Sequence, residues 1–315
     1  MVLSHRSRRS SSAVHAGQVF LRRTLTLLAL FCLGATAQAQ AAIHAVAAES
    51  SYGSMIETIG GDHVEVVSLL DSPDVNPHAF RADPQIARQL QDADLVVLNG
   101  LGFDGWMEPL LESTQSDKRQ VIRASVAGSH LVMADQNPHL FYSPRIMLAT
   151  ASRVASALET LDPQHAADYR ANLDAFKQTL APVYSAVQDL IADHPNLSVT
   201  ATVPVYSYMI ALLGYANRYH DIQFASMDNH QPSARQVATF TQALEQRSVD
   251  LLIYNQQVHN RLTESQVATA KQAGIPTVGV SAIPLHGEDY AAWQVRQLDA
   301  IHAALDKAEA DAKRG

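Results

Sequence analysis

Two histidines in this 315-residue chain sit in near-identical loops. His78 lies in Asn76-Pro77-His78-Ala79-Phe80, and His139 in Asn137-Pro138-His139-Leu140-Phe141. A proline fixes φ immediately before each ring, so each loop is stiff and holds its imidazole in place. Neutral imidazole is a common ligand for zinc and suits other first-row metals. A single histidine loop reads as solvated surface. A matched pair reads as half of a metal site. His165, His220, His259 and His302 read as surface histidines, and Asp104 as a cap or turn residue. Tyr206, Tyr208, Phe80, Phe141 and Trp106 are candidates to line a cleft.

Such loops need stiff elements to carry them. Ile43 to Ala47 reads as a strand, Ser51 to Ile59 as a helix stopped at Gly60-Gly61, and His63 to Leu70 as a second strand. Asp83 to Gln91 reads as a helix with Pro84 in its first turn, and Leu95 to Leu98 as a buried strand. This order predicts a parallel sheet with helices on both faces. Ligands of such sheets sit beyond the carboxyl ends of the strands, where His78 falls. His139 precedes a helix predicted from Pro144 to about Glu159. A longer helical stretch, opened by Asp162-Pro163, runs to about Ala192. Unbroken, it would span roughly 45 Å at 1.5 Å per residue. Pro182 is expected to kink or break it.

Alternation then restarts. Strands are predicted at Leu197 to Thr202, Val249 to Tyr254 and Thr277 to Val280. Helices are predicted at Val205 to Leu213, Ser233 to Glu245, Thr263 to Ala273 and Tyr290 to Leu305. The expected class is α/β: two lobes, each a mostly parallel sheet flanked by helices, joined by a long spine helix. The expected divisions are a leader at 1–41, an N-terminal lobe at 42–162, the spine at 163–194 and a C-terminal lobe at 195–315.

The first 41 residues hold five arginines and no acid. A short apolar run from Leu25 to Leu33 follows the basic part, and Ala37-Gln38-Ala39 and Ala39-Gln40-Ala41 satisfy the small-x-small cleavage pattern. The run is too short for a membrane anchor. Export to the periplasm through a cleaved signal peptide is the expectation. Cys32, the single cysteine, lies in the segment to be removed, so no thiolate ligand is expected. The net charge of −8 argues against nucleic acid as a partner, since phosphate binding needs a basic footprint.

The chain resembles the zinc- and manganese-binding solute-binding proteins of ABC importers. Gly60-Gly61-Asp62 leading to Asn76-Pro77-His78 looks like that family's first ligand block, and Asn137 to Phe141 like its second. Ala93 to Trp106 and Asp162-Pro163 through Tyr169, Asn172 and Phe176 look like its intervening segment and the start of its spine. The resemblance covers the chain after the leader. It implies a binding protein and not an enzyme, with a divalent metal as transported ligand, an ABC permease and its ATPase as partners, and a monomer. Zinc is expected, with manganese or copper less favoured.

Two positions depart from the family pattern. A third ligand, His or Glu, usually precedes the aromatic-x-Tyr step, here Tyr206-Ser207-Tyr208, and Val203 stands in its place. The carboxylate that usually follows the last buried strand is replaced by Ala282, unless Asn255 serves in another register. Zinc normally takes three or four protein ligands. His230, after the expected second strand of the C-terminal lobe, and His286, four residues after Ala282, are therefore candidate ligands beside His78 and His139. A member that has drifted to a chelated metal or another ligand is the alternative. An enzyme would need a signature such as His-Glu-x-x-His, Gly-x-Ser-x-Gly or a glycine-rich phosphate loop, and the chain has none.

Overall fold

The structure is a computed structural model that describes residues 1, 42–75, 77, 80–227 and 231–314. The expected leader therefore lies outside the described residues, as do His78 and His230.

Two four-stranded sheets, every strand pair parallel, form the framework. The first has the order β2-β1-β3-β4, from β1 (Ile43–Glu49), β2 (Val64–Leu70), β3 (Leu95–Leu98) and β4 (Gln120–Arg123). Its crossovers carry α1 (Ser50–Gly60), α2 (Pro84–Asp92) and α3 (Met107–Ser113). The second has the order β6-β5-β7-β8, from β5 (Ser198–Ala201), β6 (Ala216–Asn217), β7 (Leu251–Asn255) and β8 (Thr277–Val280).

Strand alternation assigns each side chain to a core. Ile43, Ala45, Ala47, Leu95 and Val97 enter a large cluster that continues into the second sheet through Leu251, Ile253, Val278 and Val280. Val46, Ala48, Val96 and Leu98 point the other way, onto α2 and α3. Runs such as Leu95–Leu98, apolar at every position, are what a strand covered on both faces requires. Phe80 and Trp106, expected in the cleft, pack on that outer cluster with ring centroids 4.7 Å apart.

Between the sheets the chain runs through α4 (Ala124–Ala127), α5 (Pro144–Leu161), α6 (Ala166–Thr179) and α7 (Ala181–Asp193). The predicted spine is thus two consecutive helices divided at Leu180. Pro182 lies in the first turn of α7, where a residue lacking an N–H is tolerated. The spine is tied to the first sheet where Asn172 Nδ2 donates to the Ile59 carbonyl at 3.0 Å.

The second sheet carries α8 (Ser207–Leu212), α9 (His220–Ala225), α10 (Ala234–Glu245) and α11 (Arg261–Gln272). The terminal helix α12 (Tyr290–Ala312) returns across the molecule and packs along α7. Among the described residues no helix is long and apolar enough to cross a membrane.

Candidate metal site

The carboxyl ends of both sheets face a shared seam. On the first sheet the loop after β3 is shaped by Asp104, buried, which accepts N–H groups from Asn99 at 2.5 Å and Gly100 at 2.9 Å. Gly100 takes φ +83°, and a Cβ there would meet Ser125 Oγ at 2.3 Å, so glycine is required. Asn99 Nδ2 then donates to the Pro138 carbonyl at 2.7 Å, and Asn99 Oδ1 accepts from Tyr52 Oη at 2.8 Å. These bonds fasten the Asn137-Pro138-His139 loop to the end of β3.

His139 is buried, and its tautomer follows from its neighbours. Asn137 Nδ2 donates to the Pro204 carbonyl at 2.8 Å, which turns Asn137 Oδ1 toward the histidine. That oxygen accepts the His139 backbone N–H at 3.0 Å and lies 2.9 Å from Nδ1. An acceptor there calls for a proton on Nδ1, so Nε2 carries the lone pair. Phe103 and Phe141 stand edge-on to the ring, with centroids 5.6 and 6.0 Å away.

Glu49 was missed in the sequence. It ends β1, is fully buried, and neither carboxylate oxygen has a hydrogen-bond partner. Burial, and then the nearby charge of Asp104, hold its pKa well above the usual carboxylate range. A glutamate between a strand and a helix reads in sequence as an ordinary boundary residue. Only the fold reveals that it faces inward.

The opposing wall is supplied by the second sheet. Val203 and Ala282, where the resemblance led one to expect ligands, are both buried and apolar. Asn255 Oδ1 is engaged by the Gln257 backbone N–H at 2.9 Å. Gln257 in turn accepts from Ala282 N–H at 2.7 Å and donates to the Val75 carbonyl at 2.8 Å, gripping the loop that leads into Asn76-Pro77-His78. Buried Thr202 Oγ1 and Tyr206 Oη have no hydrogen-bond partner. His286 sits on the rim with its side chain 89% exposed, 3.9 Å from Asp71.

Tyrosines stitch the two sides together. Tyr142 donates to the Ser281 carbonyl at 2.6 Å, Tyr208 to Asn137 O at 2.9 Å and Tyr290 to Phe141 O at 3.0 Å. At the edge, His220 Nε2 lies 2.9 Å from Asp135. The expected cleft residues Phe141, Tyr206 and Tyr208 do lie at this seam.

Comparison with known proteins places this geometry. A family model described as zinc-uptake complex component A, periplasmic, matches residues 45–304. The manganese-binding lipoprotein MntA of Bacillus subtilis (strain 168) is 24% identical over 237 residues, covering 74% of this chain and 77% of that protein. The iron-binding protein YfeA of Yersinia pestis is 25% identical over 171 residues, covering 52% of this chain and only about half of that protein, 54%. Among solved structures, the periplasmic zinc binding protein TroA from Treponema pallidum superposes with a TM-score of 0.70 at 17% identity, covering 84% of this chain and 99% of that one. The SBP FpvC of P. aeruginosa in complex with Ni2+ gives 0.68 at 23% identity, covering 85% and 98%. These structural likenesses establish a shared fold.

Proposed function

The chain belongs to the zinc-uptake complex component A family, and from that premise we propose that it captures a divalent metal ion between its lobes for delivery to an ABC permease and its ATPase. It is a binding component of metal transport and not an enzyme. Zinc is the proposed cargo. Relatives whose names specify manganese or iron, and a neighbour holding Ni2+, make the choice of ion a matter for measurement.

The observation that carries this reading is the state of His139. Its Nδ1 is committed to Asn137, and Asn137 is anchored across the seam to Pro204. A loop of the first sheet thus directs Nε2 as a ligand atom, and the second sheet helps to hold it there. We assign the N-terminal half-site to His78 and His139, and propose Glu49, a buried carboxyl at the end of β1, as a further donor. His230 or His286 is proposed to complete it from the C-terminal lobe. The lobe and spine boundaries given above, export by a cleaved leader and a periplasmic location belong to the same proposal. The basic, apolar, small-residue order of the first 41 residues supports export.

Calorimetric titration of the purified protein with zinc, manganese and nickel, repeated with His139→Ala, tests the assignment. Loss of the tightest zinc event in the variant is the expected result. Unchanged binding would remove His139 from the site. A second reading rests on Val203 and Ala282, buried apolar side chains that offer no ligand atom from the C-terminal side, so that the cargo is a metal already carried by a chelator. It requires that free zinc bind weakly while a zinc chelate binds tightly.

A further inference from the structure

The strongest unassigned chemistry lies away from the seam, where the end of α7 meets α12. We propose that His194, His302 and Asp306 form a second divalent-metal site. One atom each from His194, His302 and Asp306 lies within 4.8 Å of the others.

The geometry favours an ion at their centre. A tetrahedral zinc with ligands at about 2.0–2.2 Å sets neighbouring donors roughly 3.3–3.5 Å apart. His194 Nε2 is 3.0 Å and His302 Nε2 4.0 Å from Asp306 Oδ1, and His302 Nε2 is 3.1 Å from Asp193 Oδ2. The imidazole planes are nearly perpendicular, at 88°, with centroids 5.3 Å apart, so the rings do not stack.

An orienting partner is also in place. Glu309 Oε1 lies 2.9 Å from His194 Nδ1, which directs Nε2 inward, the carboxylate–histidine–metal arrangement common at zinc sites. His194 is held there, its side chain only 4% exposed, and its backbone N–H caps α7 on Leu190 O at 2.9 Å. His302, Asp306 and Glu309 occupy positions i, i+4 and i+7 of α12 and so share one face. Three carboxylates surround the two imidazoles. Lys313 Nζ lies 3.7 Å from the other oxygen of Glu309. Two imidazoles with carboxylates suit zinc and neighbouring first-row ions better than calcium or magnesium. A bound ion would pin the terminal helix to the segment that enters β5.

The site shares no residue with the seam, so its test is separable from that of the proposed function. Zinc equivalents per chain are counted by competition with a chromogenic chelator, for the wild type, His302→Ala, Asp306→Asn and His139→Ala. His302 and Asp306 are partly exposed, so those two variants should keep the fold, which circular dichroism checks. The expected result is that His302→Ala and Asp306→Asn each lose one equivalent, or bind it at least tenfold more weakly, whether or not His139→Ala loses another. Zinc stoichiometry and affinity unchanged from wild type in both α12 variants would overturn the proposal.

Discussion

At the scale of single residues, the account turns on two side chains, one of them held in a costly state. Glu49 is a buried carboxyl with no partner, and such groups are retained at the expense of stability. Replacing it with an apolar side chain of similar size should stabilise the metal-free protein and weaken metal capture. We expect Glu49→Met to gain about 1–3 kcal/mol near neutral pH, measured by urea denaturation. The sign of the pH dependence follows from the raised pKa. In the folded wild type the protonated form is favoured, so stability falls as pH rises from the ordinary carboxyl range through the raised value. The variant lacks this loss, and its advantage should shrink as pH falls toward the ordinary range. A constant gap across pH would show that Glu49 is compensated. Val203 is the complementary case. Val203→Glu returns a carboxylate to the wall, and titration should then show at least tenfold tighter manganese binding, because oxygen ligands suit the harder ion. No gain would mean that the wall does not face the ion.

At the scale of elements, the seam is held by a few directional bonds rather than by broad charge pairing. Tyr142→Phe removes the bond to Ser281 O and should cost about 1 kcal/mol in chemical denaturation, with the ring's packing kept. Gln257→Ala releases both Ala282 N–H and Val75 O, and so loosens the loop ahead of His78. We expect about a fivefold to tenfold loss of zinc affinity with little change in fold, which calorimetry would resolve. Unchanged affinity would mean that the loop is set by its own prolines.

The same elements show how far the sequence could be read. Continuous apolar runs located β3 to the residue, and Pro144 and Pro163 marked where helical structure begins. β4 was not foreseen, because Gln120–Arg123 is an edge strand with polar ends. The two-residue β6 and the short α9 carry too little periodicity to register. His139 was legible because its loop motif is local. The roles of Asn137 and Gln257 were not, because their partners lie 67 and 182 residues away. His302 read as a surface histidine for the same reason. His194, Asp306 and Glu309 gather around it only once α7 and α12 pack.

At the scale of the molecule, the parallel sheets present their carboxyl ends to one another, and a ligand between them touches both. An ion held by His139 and a donor of the second sheet would bind the closed arrangement better than any open one, and that difference is what couples capture to closure. The most direct test is anomalous diffraction at the zinc edge from crystals grown with zinc. The account predicts a peak about 2.0–2.1 Å from His139 Nε2, separate from any peak beside His302. A map with no peak at His139, from crystals whose zinc occupancy elsewhere is high, would contradict it.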